Sequence, residues 1–208
     1  LFESAEHMTK VLRGEEGAEI RNTVAKSFED KGIIMLGMFE AGFRNITSSK
    51  KIESLDNIDG LLIRTPNTPV LMDSFEAWGV SPTPLDIGEL YTGLQTKVVD
   101  AQENPYQLIY TNSYYEVQVS KVVWDKYPQD VKDALAEAGE YACDIAGEEN
   151  NKRNEDLLGE LKQLMEVTEM PAGEVAKMQE IAIEKVYPKY TTDEVSRELV
   201  EQIQALAP

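Results

Sequence analysis

Arg64 and Asn104 are the residues of this chain best suited to hold a small organic anion. A guanidinium offers a planar, two-pronged donor to a carboxylate, and an amide nearby can serve a further oxygen. Arg64 directly follows the apolar run Leu61-Leu62-Ile63, and Asn104 follows Val98-Val99 within a few residues. Both are expected just past the carboxyl end of a strand, where ligands sit in open parallel sheets. Arg44 stands in a similar relation to the apolar run Ile33 to Phe39, leaving it through the loop Glu40 to Asn45. Plainer readings stay open for each. Arg64 is then a surface arginine at a strand end, Arg44 holds a loop or pairs with Glu40, and Asn104-Pro105 is a turn.

The elements that position these residues are legible in the stretch Gly60 to Pro105. Three short apolar runs (Leu61-Leu62-Ile63, Gly79-Val80 and Val98-Val99) are strand-sized and alternate with two helical patterns. The first helix has Thr68 as cap, Pro69 as first residue and Gly79 as stop. The second starts at Asp86 and carries Ile87, Leu90, Tyr91 and Leu94 at helical spacing. This alternation predicts a βαβαβ unit and a parallel sheet.

At 208 residues the chain is long enough for one or two cores. It carries 20 basic and 38 acidic side chains, a net charge of −18. That balance argues against nucleic acid, which draws affinity from a basic face. An anionic ligand would have to be captured by local cations against the overall field. No apolar run reaches transmembrane length. One cysteine, Cys143, allows no intrachain disulfide, and its place in a helical pattern predicts packing. One histidine, His7, and no calcium-loop pattern leave a metal site or a Ser-His-Asp triad without support. No cofactor is expected.

Elsewhere the periodicity predicts helices over 4–13, 15–31, 129–165, 172–186 and from Thr192-Asp193 to Leu206. Tyr106 to Tyr115 reads as helical and Met165 to Met170 as a short strand. The longest helix has apolar stretches (Val131, Leu135, Ala138, Ala142, Ile145, then Leu157, Leu158, Leu161, Leu164) around the polar run GEENNKRNED. Either it spans two packing sites across a solvated bridge, or it breaks near Gly147.

Several strings together resemble the solute-binding proteins of tripartite ATP-independent periplasmic (TRAP) transporters, dicarboxylate-type. They are GFRNITSSK (42–50), LIRTPN (62–67), GVSPTPLDIGELYTGLQTKVVDAQENP (79–105), YYEVQ (114–118) and WDKYPQDVKDAL (124–135). The resemblance covers Leu1 to about Tyr187. It implies an α/β, two-lobed periplasmic-binding-protein-like fold with a long lobe-bridging helix, closing on a small organic acid. By that resemblance Arg64 fixes the ligand carboxylate, Asn104 hydrogen-bonds a ligand oxygen, Asn67 reaches the same pocket and Arg44 adds a second cation. Ile87 stands where the family often has an aromatic that stacks on the ligand. The family also has a segment ahead of Leu-Phe-Glu-Ser and a strand-containing stretch between YYEVQ and VSK that this sequence does not contain, so the fold is expected to be partly incomplete.

The resulting expectation is a periplasmic, signal-peptide-processed, monomeric binding protein that delivers a carboxylate, such as a uronate or C4-dicarboxylate, to a TRAP-type membrane permease. It is not an enzyme and does not bind nucleic acid. The expected division is 1–42 as a remnant of lobe one, 43–118 as lobe two, 119–146 as a return to lobe one, and 147–208 as the bridging helix end and C-terminal helices. One alternative is an α/β enzyme acting on a small organic acid, with Glu103 or Asp100 as the only nearby bases. The other is a truncated remnant that binds nothing.

Overall fold

The computed structural model describes residues 1–106, 109 and 118–208. The chain divides into two compact units, one made of Leu1–Phe43, Ser113–Leu157 and Arg197–Pro208, the other of Arg44–Asn112 and Leu158–Ser196.

The second unit is built on a four-stranded sheet of β2 (Asn45–Ser48), β3 (Leu62–Thr65), β4 (Ser81–Pro84) and β5 (Ala101–Asn104), in the order β2-β5-β3-β4. Helices α3 (Leu55–Ile58), α4 (Pro69–Ala77) and α5 (Leu90–Gln95) connect these strands. β3 runs parallel to β4 and β5, so the βαβαβ unit is present. The sheet is nonetheless mixed, because β2 pairs antiparallel with β5. The short polar string NITS carries no apolar run to announce that strand, and the loop expected through Asn45 ends instead at Arg44.

β4 and β5 begin after the apolar runs that predicted them. Val80 and Val99 are buried, but each is core packing just ahead of its strand. The strands themselves carry polar residues and prolines. Pro82 and Pro84 are tolerated because β4 lies at the sheet edge, where a missing N–H breaks no ladder. Gly79 takes a φ of 85°, a left-handed conformation that lets α4 turn sharply into β4. Ile58, Leu61, Ile63, Phe75, Val80 and Ala101 form the core, with Trp78 against it. The Trp78 ring stands edge-on to Phe75 at 5.2 Å, and its Nε1 donates to Met178 O on α8 (Ala172–Lys185) at 2.9 Å. The short α9 (Tyr187–Tyr190) follows.

In the first unit, α1 (Ala5–Leu12) is capped by Ser4, whose hydroxyl accepts from His7 N. His7 is buried: Nδ1 accepts from Glu3 N, so Nε2 carries the proton and donates to Ile203 O at 2.7 Å. The helix expected over 15–31 opens instead with a 3-10 turn at Glu15–Gly17, and α2 itself runs Ala18–Glu29. β1 is only Ile33–Met35 and pairs antiparallel with β6 (Gln118–Ser120), ahead of α6 (Lys121–Trp124). The run to Phe39 leaves the strand early.

Helix α7 (Gln129–Leu164) is continuous through Gly147. Its residues to Leu157 belong to the first unit and its last turns to the second. Within the first unit its buried residues are Gly139, Cys143, Gly147 and Leu157, while Ala138, Ala142 and Ile145 are exposed. Small residues are needed at 139 and 143 because the chain at 36–37 passes close by, and at 147 because Arg13 does. A Cβ on Gly139 would meet Leu36 Cβ at 2.6 Å, and one on Gly37 would meet Cys143 Sγ at 2.7 Å. Residues 166–170 form no strand, and α10 (Glu194–Ala205) closes the chain. The helix read from Tyr106 to Tyr115 lies almost wholly outside the described residues.

Candidate functional site

The sheet of the second unit packs Ile63 and Ala101 into the core on one face, where Glu103 also falls by alternation, and carries a polar row on the other. Because side chains alternate along a strand, Ile63 and Ala101 point one way and Arg64, Gln102 and Asn104 the other. Ile63 is in register with Ala101, and Arg64 with Gln102. Gln102 is in turn opposite Thr47 on β2, and Arg64 opposite Thr83 on β4. Thr47, Gln102, Arg64 and Thr83 therefore form a polar row straight across four strands, and Asn104 lies two residues further along β5.

Arg64 is the third residue of β3 rather than a residue beyond it, and Asn104 is the last residue of β5. Both are buried, as are Gln102 and Glu103. Burial of a guanidinium demands directed acceptors, and Arg64 Nε donates to Leu85 O just past β4 at 2.8 Å. Gln102 Nε2 donates to Thr47 Oγ1 at 2.7 Å, and Asn104 Nδ2 donates to Gln102 Oε1 at 2.6 Å. Arg44 precedes β2 instead of following the strand at Ile33. Its Nε pairs with Glu103 Oε2, and its Nη2 reaches Glu103 Oε1 at 2.9 Å, Glu103 O at 3.1 Å and Asn104 Oδ1 at 3.0 Å. The plainer reading that paired Arg44 with Glu40 is overturned, since Arg44 is held by Glu103.

The structure thus brings Arg64, Asn104 and Arg44 onto one sheet. Asn67 sits exposed in the loop after β3, two residues from its end, and Thr68 caps α4 without a side-chain bond. Ile87 is half-buried in a 3-10 turn, Ile87–Glu89, ahead of α5. Trp78 is core, while Tyr91 is exposed. Gln102 and Thr47 were given no role from the residues, and Glu103 was considered only as a base for the enzyme alternative, not as the partner of Arg44. The period of two along AQEN was the available signal, since it sets Gln102 on the face of Asn104.

A second buried polar cluster lies wholly in the first unit. Glu40 accepts from Arg13 Nε at 3.0 Å and Nη2 at 2.8 Å, from Thr9 Oγ1 at 2.8 Å and from Asn151 Nδ2 at 2.8 Å. Asn150 Nδ2 donates to its main-chain oxygen at 3.2 Å. Burial pushes the Glu40 carboxyl up, but bonds from Arg13, Thr9, its own main chain and Asn151 leave it below the usual carboxylate range. The hydrogen bond to Glu40 raises Arg13 in turn. The polar middle of α7 is therefore no solvated bridge at Asn150 and Asn151. No group of metal-ligating side chains occurs among the described residues, and no described helix is long and apolar enough to cross a membrane.

The chain resembles known proteins over most of its length. The 2,3-diketo-L-gulonate-binding periplasmic protein YiaO of Escherichia coli is 30% identical over 173 residues, covering 73% of this chain and 52% of that protein. The C4-dicarboxylate-binding periplasmic protein DctP of Rhodobacter capsulatus is 33% identical over 172 residues, covering 73% and 50%. The chain spans about half the length of these relatives. The crystal structure of the sugar acid binding protein DctPAm from Advenella mimigardefordensis, in complex with galactonate, superposes with a TM-score of 0.84 at 29% identity, over 99% of this chain and 72% of that one. Residues 1–193 match the family model DctP, bacterial extracellular solute-binding protein family 7, and the chain belongs to that family.

Proposed function

We propose that this chain is the ligand-binding part of an extracytoplasmic receptor that captures a small organic acid by its carboxylate and delivers it to a TRAP-type membrane permease. The observation that carries the reading is Arg64: a guanidinium buried within a central strand, in register with Gln102 and on the same sheet face as Asn104. A buried arginine is costly unless it is matched, and a carboxylate accepts its two-pronged donation. Arg64 anchors the acid and Asn104 serves a neighbouring oxygen. Asn67 and Ile87, on the loops after β3 and β4, border the ligand. The two relatives and the solved structure are named for sugar acids and C4-dicarboxylates, which supports an oxygen-rich carboxylate as ligand. The protein works in the periplasm as a monomer, by closure of two lobes around the acid.

Thermal unfolding in the presence of aldonates, uronates, C4-dicarboxylates and keto acids tests this. One class is expected to raise the midpoint, by an amount equivalent to about 2.7 kcal/mol at a hundredfold excess over Kd. Arg64→Ala abolishes the gain, and Arg64→Lys weakens it because an ammonium has no planar fork. If no acid moves the midpoint of the unmodified chain, the binding reading fails.

A further inference from the structure

We infer that Arg44 and Glu103 form a positioning pair that turns the Asn104 amide so that it offers a donor, not an acceptor, to the ligand. This rests on the binding reading above and names what Asn104 presents to the bound acid. Arg44 has no acceptor, so Asn104 Oδ1, 3.0 Å from Arg44 Nη2, is the accepting end of its amide. That leaves Nδ2 facing Gln102 Oε1 at 2.6 Å, and the Gln102 amide is then oriented too, with Nε2 toward Thr47 Oγ1 at 2.7 Å. Direction is propagated along Arg44, Asn104, Gln102 and Thr47 by a single donor-only residue at its head. An Asn Nδ2 carries two hydrogens, and one is used on Gln102. The second is available to an oxygen that accepts, such as a carboxylate or a hydroxyl lone pair.

Arg44 itself is committed within the protein. Its Nε and Nη2 both engage the Glu103 carboxylate, and Nη2 shares two hydrogens among Glu103 Oε1, Glu103 O and Asn104 Oδ1. The Glu103 side chain is almost fully buried, at 3% exposure, while that of Arg44 is 35% exposed, so the pair is fixed from its carboxylate end. With its charge answered by Glu103, Arg44 is not the anchor of a second ligand carboxylate. It acts on the ligand through Asn104.

The test is a thermodynamic cycle measured by titration calorimetry, with galactonate as a one-carboxylate acid and succinate as a two-carboxylate acid. Arg44→Gln/Glu103→Gln removes the pair without leaving a buried charge, and it is combined with Asn104→Ala. The pair-less variant is expected to weaken whichever acid the chain binds by about tenfold, the scale of one charge-assisted hydrogen bond. In the Asn104→Ala background the same change is expected to cost less than about twofold, because its effect passes through Asn104. Equal losses in both backgrounds overturn the inference. So does a succinate loss tenfold larger than the galactonate loss, which would put Arg44 on the second carboxylate. Asn104→Asp preserves size and acceptors but removes the donor, and retention of affinity in that variant also overturns it. If the unmodified chain binds neither these nor any other acid, the binding reading falls and this one with it. Affinity with an additive cycle sinks this inference alone.

Discussion

Removal of Arg13 from the Glu40 cluster is expected to be among the most damaging single changes in the first unit. Arg13 is 12% exposed and the Glu40 side chain 0%, so this is a buried pair and not a screened surface one. Arg13→Ala removes two hydrogen bonds to a carboxylate, each worth about 1.5–3 kcal/mol. It leaves Glu40 with donors only from Thr9, Asn151 and its own main chain. Orphaning one member of a buried ion pair costs about 3–5 kcal/mol, and water reaching the site beside the exposed Asp144 keeps the loss near the lower bound. Thr9→Val, which removes one donor at constant shape, is expected to cost roughly half as much. The chain has two tryptophans, Trp124 in the first unit and Trp78 in the second. Urea unfolding of a Trp78→Phe background followed by Trp124 fluorescence therefore reads the first unit. With a slope of about 1.5 kcal/mol/M, a 3 kcal/mol loss moves the midpoint by about 2 M.

The pH dependence gives the sharper check. The folded value of Glu40 is lowered below its unfolded value of about 4.3. Its stabilisation is thus complete above that value and is lost as pH falls through the lower folded value. The gap between the parent and Arg13→Ala should be full at neutral pH and shrink in acid as Glu40 is protonated in both. A loss below about 1 kcal/mol at neutral pH, or one that does not shrink in acid, would falsify the account of Glu40 as a charged, buried acceptor.

Two further outcomes follow from packing. Gly147→Ala should gain about 1 kcal/mol of helix propensity yet destabilise the first unit by about 2 kcal/mol, because its Cβ would lie 2.6 Å from Arg13 Nε and displace it from Glu40. The same urea titration shows this, and a stabilised Gly147→Ala would mean that Arg13 moves aside freely. Ile63→Ala, at the centre of the sheet core, should cost about 2–5 kcal/mol in unfolding followed by Trp78 fluorescence, and a loss under 1 kcal/mol would mean the site collapses onto the missing volume.

Family membership and the βαβαβ alternation were readable along the chain, because both depend on local strings. The cap and stop around α4, Pro69 and Gly79, act within a few residues of where they stand. The strands were read too early, at Val80 and Val99, because apolar residues mark where the core is and not where backbone pairing begins. β2 escaped notice because it owes its extended form to β5, which lies far away in sequence. The packing expected of Cys143, Leu157 and Leu161 on α7 is present, but Gly139 and Gly147 were missed: Gly139 is buried by the close approach of Leu36 and Gly147 by Arg13, and periodicity favours large apolar residues over small ones. Arg64 and Asn104 announced themselves by residue type and by their strings. Their register with Gln102 and Thr47, the direction of that amide chain, and the choice of Glu103 over Glu40 as partner of Arg44 came only with the folded sheet. Strand pairing and ion pairing are long-range, and a linear pattern records which groups need partners but not which ones they meet.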